Sequence, residues 1–184
     1  MNNLTLIIPA KREGSSLPLV LEEIKNYECQ ILVVLEASDI ETINSAKNYN
    51  CKIIYQQETG YGDAILEGLK NVKTEYTCIF NADGSFDPKY LDEMIKICKN
   101  LDFVFASRYK EKGGSDDDTL LTKIGNFTFT KIGNIFFSVN ISDILYTYII
   151  GKTVSFKSLN LKSKDFCLCV EIPIKAKRKG MSYT

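Results

Sequence analysis

The stretch CIFNADGSFDP, residues 78 to 88, ends an apolar run on Asn81 and Asp83 and reaches a second acid, Asp87, one residue before a proline. Oxygen ligands of this kind suit Mg2+ or Mn2+, and one carboxylate suffices when a substrate diphosphate supplies the remaining ligands. Asp83 beside Gly84 is equally readable as a turn residue. Asp87, followed by Pro88 at a first helical position, reads as a helix cap. Other apolar runs also end on chemistry: Lys11, Arg12 and Glu13 after LTLIIP, Glu36 after QILVVL, Ser107 and Arg108 after DFVFA. The 184-residue chain has no histidine, which excludes His-dependent triads and imidazole-held metals. Any catalysis must rest on carboxylates, Lys or Arg, hydroxyls, backbone amides or an oxygen-bound metal.

The elements that must position these groups follow from pattern. LTLIIP (4 to 9), QILVVLE (30 to 36), CKIIYQ (51 to 56), YTCIFNAD (76 to 83) and DFVFASRY (102 to 109) are nearly continuous apolar runs, as expected of strands covered on both faces in a mostly parallel sheet. Helical stretches separate them: SSLPLVLEEIKNY, SDIETINSAKNY with Ser38 and Glu41 in capping-box spacing, YGDAILEGLKNV, and DPKYLDEMIKICKN. Four alternations predict an α/β domain with right-handed crossovers, whose ligands bind beyond the carboxyl ends of the strands. A Gly- and acid-rich loop (110 to 119) and an amphipathic helix over LLTKIGNFTFTKIGNIFFSV follow. The last residues, RKGMSYT, show no element to close on and are expected to be a shortened or mobile end.

Composition bounds the partners. Lys plus Arg (23) balance Asp plus Glu (23), so charge does not argue for nucleic acid. KAKRKG (175 to 180) reads as a solvated helix end, with an anionic membrane surface as the alternative. Six scattered cysteines without a CxxC pair fit free thiols in a reducing cytoplasm. No signal-peptide pattern and no apolar run near the ~20 residues of a membrane span are present, so a soluble or peripheral protein is expected. ETGYGDAILEG (58 to 68) fails the GxGxxG spacing; its glycines let helix-start amides approach a phosphate or sugar, or make a tight turn.

In sequence order, IIPAKREGSSL, VVLEAS, GYGDAILEGL, NADGSFDP and ASRY resemble the landmarks of family 2 glycosyltransferases of GT-A fold, most closely the dolichyl-phosphate (polyprenyl-phosphate) sugar transferases. The resemblance spans residues 4 to about 180. It implies a GT-A fold in one domain, 1–109 being the nucleotide-binding half and 110–184 the acceptor half. Pro9, Ala10 and Glu13 would hold the nucleotide, Glu36 would lie near base or ribose, and Gly62, Asp63 and Ala64 would form the glycine-helix segment. Asp83 matches the second acid of the DXD signature, the ligand of Mg2+ or Mn2+, with Ser85 beside it and Asn81 in place of the first acid. Arg108 matches an arginine near phosphate. Asn126, Asp143 and Glu171 fall near further landmarks.

The activity so implied is inverting transfer of a sugar from a UDP- or GDP-sugar to a lipid-phosphate or glycan acceptor, with peripheral contact at the cytoplasmic membrane face. An already ionised lipid phosphate needs no general base, whereas an acceptor hydroxyl would call on Asp143 or Glu171. Two other classes remain: a nucleotidyltransferase, for which PAKREGSS is a poor phosphate loop, and an inactive nucleotide-binding relative, suggested by Asn81.

Overall fold

The computed structural model describes residues 3–109 and 120–184, with side chains from residue 124 onward in the second stretch. The Gly- and acid-rich loop expected at 110 to 119 lies outside the described residues. The five apolar runs become β1 (Leu4–Pro9), β2 (Gln30–Leu35), β3 (Lys52–Tyr55), β4 (Tyr76–Ile79) and β5 (Phe103–Phe105), and a sixth strand, β6, covers Ile149–Lys152. They form one sheet in the order β3-β2-β1-β4-β6-β5, with β6 antiparallel to both neighbours and the other pairings parallel.

Helices α1 (Leu17–Ile24), α2 (Ile40–Ala46), α3 (Tyr61–Asn71) and α4 (Leu91–Cys98) fill the crossovers, followed by α5 (Leu120–Phe137), α6 (Thr153–Ser158) and α7 (Leu168–Arg178). Successive residues of β1 serve opposite faces. Leu6 and Ile8 pack with Leu17, Val20 and Leu21 of α1 and Leu91 of α4, while Ile7 packs with Ile65 and Leu69 of α3 and Ile172 of α7. Burial on both sides is why β1 reads as an unbroken apolar run.

Three expectations change. Ser38 does not cap α2; Asp39 does, its carboxylate accepting from Thr42 N at 3.3 Å and also from Arg12 N at 2.6 Å. Asp87 is a cap as expected, but of the short 3-10 turn Pro88–Tyr90 that leads into α4, where its Oδ1 accepts from Lys89 N at 2.9 Å. The C-terminal residues are not loose. Phe105 N donates to Thr184 O at 2.9 Å, Asp102 Oδ2 accepts from both Ser182 N and Oγ at 2.9 Å, and the Tyr183 ring meets Phe105 edge-on at 5.6 Å. The tail thus covers the exposed edge of β5, satisfying backbone groups that an edge strand leaves open. Its pattern was unreadable because it contributes an isolated bridge and scattered backbone and side-chain contacts rather than a periodic element.

Candidate functional site

A cleft of about 280 Å³ opens beyond the carboxyl ends of β1 and β4, lined by Pro9, Ala10, Lys11 and Glu13 from the first loop and by Asn81, Ala82 and Asp83 from the fourth. Gln56, Gly60, Tyr61 and Ala64 form a further wall, and Phe166 closes it from the segment before α7. The first loop turns sharply: Arg12 has φ 59°, a conformation held by its N–H on Asp39, and Glu13 N donates to Thr42 Oγ1 at 2.9 Å. Glu13 also accepts from Ser16 Oγ. Beside the cleft, Glu36 pairs with Lys11, Nζ to Oε1 2.9 Å.

Asp83 is exposed, and its Oδ1 accepts from Ser85 N at 2.9 Å, an Asx turn that aims the side chain locally. Its Oδ2 takes no hydrogen bond among the described residues. Asn81 is oriented differently. Tyr61 Oη lies 3.0 Å from Asn81 Oδ1, which can only accept, and 2.8 Å from Thr147 Oγ1. With one proton to give, Tyr61 donates to Asn81 and receives from Thr147. Burial raises the Tyr61 hydroxyl far above the usual phenol range, and the Asp83 charge adds to this against the opposing Thr147 bond, so it stays a donor. Asn81 Nδ2 reaches Ser85 Oγ at 3.4 Å. The Asn81 oxygen therefore faces the core network, and Asp83 is the carboxylate that the β4 end offers to the cleft, alongside Glu13 from the first loop. Among the described residues no group of three or more His, Cys, Asp or Glu could hold a metal ion. The donor set fits a hard divalent ion only as one that a diphosphate also ligates.

The α3 start differs from the expected anion site. Asp63 N donates to Lys164 O at 3.0 Å, and a Cβ on Gly62 would stand 2.3 Å from Ser163 O, so this glycine admits the chain's own 163–165 segment. Asp63 is buried and turns inward, accepting from Glu58 N at 3.0 Å. Gly62 and Asp63 thus shape the wall, whereas Ala64 lines the cleft.

Glu171 does not line it. Its carboxylate accepts from Lys162 N at 3.0 and 3.1 Å and Ser163 N at 2.8 Å and pairs with Lys175 at 2.6 Å, fastening the same segment. Burial would raise its pKa, but Lys175 and the two amides prevail and lower it to about 2. Phe166, carried by that segment, rests against Tyr61 with ring centroids 5.4 Å apart.

Arg108 and Asp143 form a bidentate pair, Nε to Oδ2 2.8 Å and Nη2 to Oδ1 3.0 Å, with the Asp143 side chain fully buried. The guanidinium also lies 5.1 Å from the Tyr146 ring and 5.4 Å from the Tyr109 ring. Burial pushes Tyr146 up to about 12 against the opposing Arg108 charge, and Asp83 is close enough to contribute. The pair does not line the cleft, and Asp143 has both oxygens engaged. Asn126 of α5 donates to Tyr109 Oη at 2.8 Å. Tyr61, Phe166 and Thr147 escaped sequence reasoning; only Tyr61, set between Gly60 and Gly62, carried a local signal.

The family model described as Glycosyl transferase family 2 matches residues 5–159. The chain belongs to glycosyl transferase family 2. Uncharacterized glycosyltransferases of Mycobacterium bovis and Mycobacterium tuberculosis are 30% identical to it over 106 residues, 56% of this chain and 48% of theirs. The chain thus spans about half the length of the curated relatives it matches. Among solved structures, glucosyl-3-phosphoglycerate synthase from Mycobacterium tuberculosis with Mn2+, UDP-glucose and phosphoglyceric acid superposes with TM-score 0.78 at 11% identity, covering 96% of this chain and 65% of that one. Mannosyl-3-phosphoglycerate synthase from Rubrobacter xylanophilus gives 0.67 at 17% identity, covering 84% and 55%. This family 2 chain accordingly has the GT-A fold, with a mostly parallel six-stranded sheet.

Proposed function

We propose that this chain transfers a sugar from a UDP- or GDP-sugar to a phosphate-bearing acceptor, with inversion at the anomeric carbon. The observation that carries the reading is Asp83: an exposed carboxylate with an uncommitted oxygen, in a cleft shared with Glu13 and Tyr61 at the strand ends. Family membership and the UDP complexes of the structural neighbours support it. Residues 1–109 would supply the donor half and 110–184 the acceptor half.

Pro9, Ala10 and Glu13 would line the nucleotide, and Glu36 would approach base or ribose. Asp83 would hold Mg2+ or Mn2+ together with the donor diphosphate, Ser85 being the adjacent oxygen; the ion supplies neutralisation of the leaving charge. Those metals accompany UDP in the neighbouring synthase structures. Arg108, stiffened by Asp143, would present positive charge toward phosphate. An acceptor oxygen forms the new bond to the anomeric carbon while the bond to the diphosphate breaks and its electron pair leaves with the nucleotide.

The finer reading is a lipid-phosphate acceptor at a cytoplasmic membrane face. Asp143 is committed to Arg108 and Glu171 to Lys175 and backbone amides, so neither carboxylate is disposed as a general base. An acceptor phosphate is already ionised at neutral pH and needs none. The test is nucleotide release from a panel of UDP- and GDP-sugars with Mn2+, with and without polyprenyl phosphate. Metal-dependent release stimulated by the lipid is expected; pyrophosphate release from a nucleoside triphosphate, or no turnover with any donor, would overturn the reading.

A further inference from the structure

Helix α5 is built inside out. Asn126, Thr130 and Asn134, four residues apart, form its inward stripe. Thr130 Oγ1 accepts from Ile144 N at 3.2 Å, and Asn134 brackets Ile141, donating to its carbonyl at 2.8 Å and accepting from its N–H at 3.2 Å. Gly133 lets Ile144 approach, since a Cβ there would lie 2.4 Å from its Cδ1. The apolar residues point the other way: Ile124 is 56% exposed, Phe127 61%, Ile132 45%, Ile135 71% and Phe136 75%. A soluble amphipathic helix shows the reverse order, and a patch of this kind on a globular surface marks a contact site.

We infer that this outward face docks the protein onto an anionic lipid bilayer, lying in the plane of the interface. Charge selects the occupant. Helix α5 contains no Asp or Glu, and its only charged residues are Lys123 and Lys131. Lys131 Nζ sits 5.0 Å from the Phe127 ring centroid, on the apolar face. At the other end, Arg178 of α7 lies 5.8 Å from the Phe137 ring, beside exposed Lys177 and Lys179. An apolar stripe with a lysine on its face and a cationic cluster at its C-terminal end matches acyl chains under phosphate headgroups. Two copies packed face to face would instead set cation against cation. Among the described residues no helix is long and apolar enough to cross a membrane, so the helix would lie on the surface. Docking does not depend on the transferase reading. Only its consequence does: through Asn126 and Tyr109 the helix adjoins Arg108, so a lipid-borne phosphate would arrive beside the proposed acceptor side.

Flotation of the whole chain with phosphatidylcholine vesicles, with and without phosphatidylglycerol, tests this. Binding to the anionic vesicles, weakened at least about tenfold without phosphatidylglycerol, is expected. The double variant Phe127→Asp/Ile135→Asp should lose binding at least about tenfold while keeping the thermal midpoint and nucleotide affinity, since both side chains are exposed. Lys131→Glu/Arg178→Glu should also weaken binding, in a salt-sensitive way. No flotation, flotation unchanged in the Asp variants, or a dimer in sedimentation that those variants dissociate would overturn the inference. Vesicle binding without nucleotide binding would sink the transferase reading and leave docking standing; nucleotide turnover without flotation would do the opposite.

Discussion

Replacing Arg108 with methionine removes the guanidinium from a carboxylate that has no route to water. The Asp143 side chain is 0% exposed, whereas that of Arg108 is 17% exposed. Breaking a buried pair by deleting one partner costs about 3–5 kcal/mol, most of it the uncompensated charge left behind. The two single variants should therefore differ. Arg108→Met strands a sealed carboxylate and forfeits contacts to Tyr109 and Tyr146, placing it near the top of that range. Asp143→Asn leaves a cation that can reach solvent, placing it near the bottom. For a domain of this size, about 2–4 °C per kcal/mol translates these into a midpoint drop of roughly 10–20 °C and 6–12 °C. Arg108→Met/Asp143→Leu should recover much of the loss, because no buried charge remains. Urea and thermal unfolding of the three variants give the coupling energy directly. If Arg108→Met unfolds within about 2 °C of the parent, or the double variant is worse than either single one, the pair does not stabilise the fold as a buried ion pair should.

Glu171, with its pKa lowered to about 2 from 4.5, should stabilise the fold fully above pH 4.5 and lose that contribution as pH falls toward 2. Glu171→Gln should cost about 2 kcal/mol at neutral pH and flatten the acid limb of a plot of urea midpoint against pH; an unchanged limb would contradict the anchoring role. Gly62→Ala would place a methyl against the Ser163 carbonyl, so a loss of about 1–3 kcal/mol in chemical unfolding is expected, with weaker nucleotide binding as the Phe166 segment shifts. Asn81→Asp can keep one oxygen on Tyr61 and offer the other beside Asp83; Mn2+ titration in the presence of nucleotide should show tighter binding, and unchanged affinity would mark Asn81 as purely structural.

β1, β4 and most of β2 were legible because residues buried on both faces leave unbroken apolar runs, as in Leu4–Pro9. β6 was not. Ile149–Lys152 is four residues long and passes straight into α6 at Thr153, and its place between β4 and β5 depends on pairings with Tyr76–Ile79 and Phe103–Phe105 far away in sequence. The cleft divided in the same way. Asp83 and Glu13 follow strands and could be placed from pattern, but Tyr61 reaches Asn81 across 20 residues and Thr147 across 86. Nothing local encodes such contacts. Periodicity identified α5 as amphipathic yet carried no information on which face turned inward, and Asn126, Thr130 and Asn134 reversed the usual answer. Glu171 was singled out through resemblance, while its geometry makes it the fastener of the segment that bears Phe166.

Titration calorimetry of UDP and GDP, with and without Mn2+, on the parent chain and Asp83→Ala tests the central claim most directly. Nucleotide binding should strengthen about tenfold or more with Mn2+ and lose that increment in Asp83→Ala, while thermal stability changes little because Asp83 is exposed. Binding indifferent to both the metal and Asp83, or no nucleotide binding at all, would contradict it.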